Sequence, residues 1–204
     1  MWLPNSTRPS VSGFSGIRGT TALVGVLGDP VHHSLSPVMQ NAALQAMALD
    51  WVFLALPAAA TDLATVVRGL EAMDCRGLNV TIPHKHSVAA LCRELSPLAQ
   101  RLGAVNVLVP MAGGGWHGTN TDVEGFCAPL RRNGANWTGK RAVVLGCGGS
   151  ARAVVAGLVE LGFADIQLAG RRAEALGAFL DDCHDWAPQL QARLWGEGAA
   201  PLVS

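Results

Sequence analysis

The stretch RAVVLGCGGSARAVVAGLVELG (141–162) decides the fold, because it holds three signals in one order. RAVVL is a short run of β-branched and apolar residues with the length of a buried strand. GCGGSA (146–151) follows at once and has the spacing GxGxxA. The residues from Ser150 then repeat apolar side chains at helical spacing up to Gly162, which stops the helix. A strand, a glycine turn and a helix in that order form a phosphate-binding unit: Gly146 permits the tight turn, Gly148 lets backbone approach a pyrophosphate, and Ala151 keeps the helix close to the sheet. The helix start offers free N–H groups to the anion.

Outward from this unit the same alternation continues in both directions. Downstream lie a strand ADIQLAG (164–170), a helix AEALGAFLDDC (173–183) and a final strand LQARLW (190–195). Upstream, TDVEGFCAPLRRNG (121–134) reads as a helix. Before it come a strand TALVGVLG (21–28), a helix SPVMQNAALQAMAL (36–49), a strand DWVFLALP (50–57), a helix TDLATVVRGLEAM (61–73) and a strand GLNVTIP (77–83). GAVNVLVP (103–110) and the glycine-rich MAGGGWHGTN (111–120) read as a strand and the turn of a hairpin. Strands and helices taking turns predict an α/β fold with a mostly parallel sheet. Ser36 before Pro37, and Thr61 or Asp62, are the expected helix caps. The expected organisation is a disordered leader at 1–20, rich in Ser, Gly, Pro and Thr, an N-terminal α/β substrate domain at 21–121, and an incomplete Rossmann-like domain at 122–204.

Composition narrows the partner. Half of the residues are hydrophobic, and 15 basic residues balance 15 acidic ones, so there is no broad positive field for nucleic acid or an anionic membrane surface. No segment reaches the roughly 18 uninterrupted apolar residues of a membrane span. The five cysteines, Cys75, Cys92, Cys127, Cys147 and Cys183, are scattered and form no CxxC pair, which predicts reduced thiols and a cytoplasmic protein. The six histidines show no metal-ligand spacing and read as surface or loop residues; no metal is expected. A small polar molecule is the expected ligand.

Two guanidinium groups, Arg171 and Arg172, end the strand after the glycine turn, where an NAD-binding chain carries a carboxylate for the ribose hydroxyl. Forked donors at that place suit a 2′-phosphate and predict NADP. Further polar clusters stand at strand ends and first helical turns: Ser34 with Ser36, Asn79 and Thr81 with Lys85, Asn106, and Asn120–Thr121–Asp122. Ligands of open α/β sheets collect beyond the carboxyl ends of strands, so these clusters can converge.

The ordered series SLSP (34–37) with Asn41, GLNVTIPHK (77–85), GAVNV (103–107), GTNTD (118–122) with Gly125, and GCGGSA (146–151) resembles the shikimate dehydrogenase family from about Val24 to Arg172. The resemblance implies reversible NADP-linked interconversion of 3-dehydroshikimate and shikimate, in aromatic amino-acid and chorismate biosynthesis, by a monomer or homodimer. It implies that Lys85 and Asp122 are catalytic, and that Ser34 and Ser36 hold the substrate carboxylate. Thr81 and Asn106 would then bind ring hydroxyls, with Gly146, Gly148, Gly149, Ser150 and Ala151 around the pyrophosphate and Arg171 and Arg172 at the 2′-phosphate. Gln40 replaces the histidine that usually precedes Asn41, and Cys147 and Ser150 stand where the family's loop often carries alanine. The family continues past the point matching Ser204 with further strands and a glutamine-bearing helix, so a truncated chain with an exposed sheet edge is expected. The alternatives within this resemblance are a quinate/shikimate dehydrogenase and a non-catalytic shikimate-binding relative.

Overall fold

The computed structural model describes residues 16–195. The leader expected at 1–20 lies outside them for residues 1–15.

The first half builds one six-stranded sheet. Its strands are β1 (Ala22–Gly28), β2 (Trp51–Pro57), β3 (Leu78–Val80), β4 (Glu94–Leu95), β5 (Val107–Pro110) and β6 (Trp116–Thr119), in the spatial order β2-β1-β3-β5-β6-β4. β1 pairs in parallel with β2 and β3, and β4 with β6, whereas β5 runs antiparallel to both β3 and β6. The antiparallel pairing of β5 with β6 comes from the hairpin read in the sequence: Gly113, Gly114 and Gly115 all have positive φ and carry the chain from Pro110 to Trp116. A second sheet, all parallel, holds β7 (Arg141–Leu145), β8 (Asp165–Gly170) and β9 (Leu190–Leu194) in that order. The α/β reading with a mostly parallel sheet therefore holds.

Helices α1 (Ser36–Ala46), α2 (Leu63–Ala72) and α3 (Pro97–Leu102) belong to the first half. They are followed by α4 (Asp122–Arg132), α5 (Gly149–Glu160) and α6 (Ala173–Cys183). The amphipathic stripe of α2, Leu63, Val67 and Leu70, packs into a core with Leu27, Leu78, Val80, Leu108 and Trp116. A second core gathers Val144, Val155, Leu158, Ile166, Leu168 and Phe179 around the second sheet. Between them Leu102 and Ala104 pack with Val123 and Cys127 of α4 and with Ala153 and Ala156 of α5. That seam is tight: a Cβ on Gly157 would lie 2.6 Å from the Phe126 ring and 2.8 Å from the Cys127 sulfur.

Two of the expected caps are absent. Ser36 is the first helical residue rather than the cap of α1, with Leu35 at the N-cap position, and Asp62 occupies the N-cap position of α2 without accepting a side-chain bond. The reason is local geometry. A capping side chain reaches the next turn when its own backbone is extended, and both Leu35 and Asp62 are already in the helical region. Ser96 is extended (ψ 152°) and does cap α3, its hydroxyl accepting from the Ala99 N–H at 3.1 Å.

Candidate active site

The carboxyl ends of β1 and β3 set the floor of the site. After Val80 the Thr81 N–H still donates to the Leu27 carbonyl (2.9 Å), and the Asp29 N–H donates to the Ile82 carbonyl (3.0 Å), so the strand pairing runs slightly past the end of β3. Pro83 then supplies no donor, and the chain turns, with the His84 N–H bonded to the Thr81 carbonyl at 2.9 Å. His84 corrects the reading of the histidines as surface residues: it is 1% exposed, and its Nε2 donates to the Ala58 carbonyl at 2.8 Å. An imidazole with its polar edge satisfied can pack like an aromatic, and here it anchors the turn to the body of the sheet.

Lys85 follows directly. Its carbonyl accepts from the Val105 N–H (2.8 Å), which fixes the backbone, and its Nζ donates to Asp122 Oδ2 at 2.6 Å. The lysine side chain is 13% exposed and the aspartate 27%, so the pair is shielded yet open to one side. The other carboxylate oxygen, Oδ1, accepts from Asn106 Nδ2 at 2.8 Å. Asn106 is itself held, because its Oδ1 accepts from the Thr121 N–H at 2.9 Å. Asn120 completes the clamp, with Oδ1 accepting from the Asp122 N–H (2.9 Å) and Nδ2 donating to the Ala104 carbonyl (3.1 Å). Each oxygen of Asp122 thus has a donor, and a pre-oriented carboxylate in a half-buried position fixes where the ammonium sits.

Lys85 shares a cavity of about 460 Å³ with Ile82, Pro83 and His86 on one side and Gly146, Gly148, Gly149, Ser150 and Ala151 on the other. Gly146 takes φ +96°, and its N–H donates to the Ala169 carbonyl at 2.7 Å, which ties the glycine turn to β8. A Cβ placed on Gly146 or Gly148 would meet no atom within 4 Å, so the backbone there faces open space. Such a cradle at the start of the twelve-residue α5 fits a pyrophosphate. Arg171 and Arg172 are exposed just beyond the end of β8, on the strand bonded to that turn.

The remaining candidates are placed less closely. Ser34 and Ser36 are half-buried in the loop after β1 and at the start of α1; the Ser34 hydroxyl accepts from the Ser36 N–H at 3.2 Å. Among the described residues no hydrogen bond joins either serine to Lys85. Thr81 is packed through its methyl group against Gly28, where a Cβ would lie 2.6 Å away. Asn79, expected beside Thr81 at the pocket mouth, lines a separate cavity with Gln40, Leu44 and Val107. Asn41 has a structural task, stapling α1 to β2: its side chain donates to the Pro37 and Phe53 carbonyls (2.8 Å each) and accepts from the Phe53 N–H (2.9 Å).

All five cysteines are free thiols, and burial pushes Cys92 and Cys183 up to about 11, leaving them unreactive near neutrality. Among the described residues no helix is long and apolar enough to cross a membrane.

Residues 26–108 match the shikimate dehydrogenase substrate binding domain. A relative from Synechocystis sp. (strain ATCC 27184 / PCC 6803 / Kazusa), named shikimate dehydrogenase (NADP(+)), is 52% identical over 178 residues, covering 87% of this chain and 60% of its own length. The chain belongs to the shikimate dehydrogenase family. It spans about 60% of the length of the curated relative from Synechocystis. Solved shikimate dehydrogenases superpose on it. The enzyme from Aquifex aeolicus gives a TM-score of 0.80 at 34% identity, over 87% of this chain and 64% of that one. The shikimate 5-dehydrogenase from Listeria monocytogenes, in complex with shikimate and NAD, gives 0.77 at 32% identity, over 88% and 62%.

Proposed function

We propose that the protein is an NADP-dependent shikimate dehydrogenase that interconverts 3-dehydroshikimate and shikimate. The observation that carries this reading is the Lys85–Asp122 pair, clamped by Asn106 and opening on the same cavity as the glycine turn. In this reading residues 21–121 carry the substrate and residues 122–204 the dinucleotide.

The chemistry follows from where the charges stand. The cavity lined by Lys85 and the glycine turn would hold a reduced nicotinamide dinucleotide, which would supply hydride to the ring carbonyl carbon. Lys85 donates its Nζ proton to the carbonyl oxygen as negative charge grows there, and takes it back in the reverse direction. Asp122 keeps the ammonium aimed, and Asn106 keeps Asp122 aimed. Ser34 and Ser36 offer hydroxyls to the substrate carboxylate, and Thr81 offers one to a ring hydroxyl. Gly146, Gly148, Gly149, Ser150 and Ala151 present backbone to the pyrophosphate, with Arg171 and Arg172 at the 2′-phosphate.

Calorimetry with shikimate and with NADPH, followed by absorbance at the reduced-nicotinamide band on adding 3-dehydroshikimate, tests the reading. Saturable binding of both ligands and substrate-dependent loss of NADPH are expected, with kcat/KM higher for shikimate than for quinate in the reverse direction. Absence of binding for either ligand would sink it. Arg171→Ala is expected to weaken NADP binding about tenfold or more, the loss of a charge-assisted contact, and to leave NAD binding nearly unchanged. Equal losses for the two cofactors would remove Arg171 from the 2′-phosphate site.

A further inference from the structure

His86 joins the lysine turn to the glycine turn, a connection that its neighbours in the sequence give no sign of. Its Nδ1 lies 2.8 Å from the carbonyl of Gly103, the left-handed residue that ends α3. A carbonyl only accepts, so Nδ1 carries the proton. In the neutral ring Nε2 is then a bare lone pair. That atom faces the start of α5: a Cβ on Gly149 would stand 3.1 Å from Nε2, and 3.8 and 3.9 Å from the adjoining ring carbons. The ring also lines the cavity shared by Lys85 and the glycine turn. The charged groups on the elements around it are Lys85 on its own turn, Arg101 on α3 and Arg152 on α5, ion-paired with Asp122, Glu160 and Asp182 respectively.

We propose that His86 is a binding residue for the phosphate groups of the dinucleotide, donating from Nε2 when the imidazole is protonated. The proposal rests on the dinucleotide reading of the glycine turn and adds to it a contact from the other half of the chain. A lone pair at Nε2 repels a phosphate oxygen, while an imidazolium N–H binds it with a charge-assisted hydrogen bond. Phosphate binding and protonation of His86 therefore favour each other. The gain in affinity is greatest where imidazoles are charged and is lost where they are neutral.

The test compares NADPH dissociation constants of the wild-type chain and His86→Asn by calorimetry at about pH 8 and about pH 6, either side of the range where imidazoles change charge. Asn places an amide N–H where Nδ1 stands, which keeps the bond to Gly103, and removes Nε2. The ratio of the two constants cancels the titration of the ligand's own phosphates. A ratio near unity at the higher pH and of about tenfold at the lower is expected, with shikimate affinity and melting temperature unchanged. The same ratio at both pH values, with NADPH bound well by both proteins, would overturn the role of His86 and leave the dinucleotide site standing. A wild-type chain that binds shikimate but takes up NADPH at neither pH would overturn the dinucleotide reading and this contact with it.

Discussion

Lys85→Ala is expected to lower kcat by about a hundred- to ten-thousandfold while shikimate binding changes by a few-fold. The asymmetry follows from when the ammonium is needed. In the ground state Nζ is satisfied by Asp122 at 2.6 Å, so it contributes little that the substrate feels. In the proposed reaction the carbonyl oxygen would become an alkoxide as hydride reaches the carbon, and only then would a proton held within reach lower the barrier. Removing the lysine also leaves Asp122 with its Asn106 bond and an empty acceptor, in a site only 27% exposed, which sets a negative charge beside the forming alkoxide. Steady-state kinetics of shikimate oxidation, with calorimetry for binding, check this. A variant with wild-type kcat would show that the proton comes from elsewhere.

Trp116→Ala is expected to cost about 3–5 kcal/mol of folding stability. Trp116 is 1% exposed in the middle of the first core, against Leu63, Val67 and Leu108, and its indole N–H points to the Val67 carbonyl at 3.4 Å. The truncation leaves a large void that a sheet packed on α2 cannot close, because β5 and β6 are held by their own ladder. Chemical unfolding of the two proteins measures the difference, and Trp116→Phe should recover part of it. A loss under about 1 kcal/mol would mean that the core collapses onto the site more freely than its packing suggests.

The sequence carries much of this in local signals. The alternation of strand and helix, the hairpin glycines at 113–115 and the glycine turn at 146–149 are short-range patterns, each with a backbone cause, and the elements formed where those patterns stand. What was not legible depends on contacts between distant residues. The edge position of β4, beside β6 rather than β3, is a matter of sheet assembly. The burial of His84 depends on the Ala58 carbonyl, 26 residues away, and a histidine beside a lysine gives no hint of it. Likewise the capping reading of Ser36 and Asp62 failed because the preceding turns had already brought the backbone into helical geometry. At the site, the residue types were readable, but the clamp was not. Asn106 looked like a ligand-binding amide, and its side chain is engaged with Asp122 and the Thr121 N–H.

The reversed strand β5 has a consequence for how the site comes apart. Asn106 is gripped by its backbone on two sides, its carbonyl accepting from the Val80 N–H and its N–H donating to the Thr119 carbonyl, while the preceding amide, Val105, holds the Lys85 carbonyl. Peeling the hairpin away from β3 would release the bonds made by the Val80 and Val105 amides together and separate the lysine from the aspartate, with the Asn106–Thr119 bond inside the hairpin and the pairing of β1 and β2 left whole. The amides of Val80 and Val105 should therefore exchange with solvent deuterium in one event, and that of Asn106, bonded within the hairpin, more slowly. The common rate of Val80 and Val105 is a clock for the loss of the Lys85–Asp122 ion pair, readable with no ligand present.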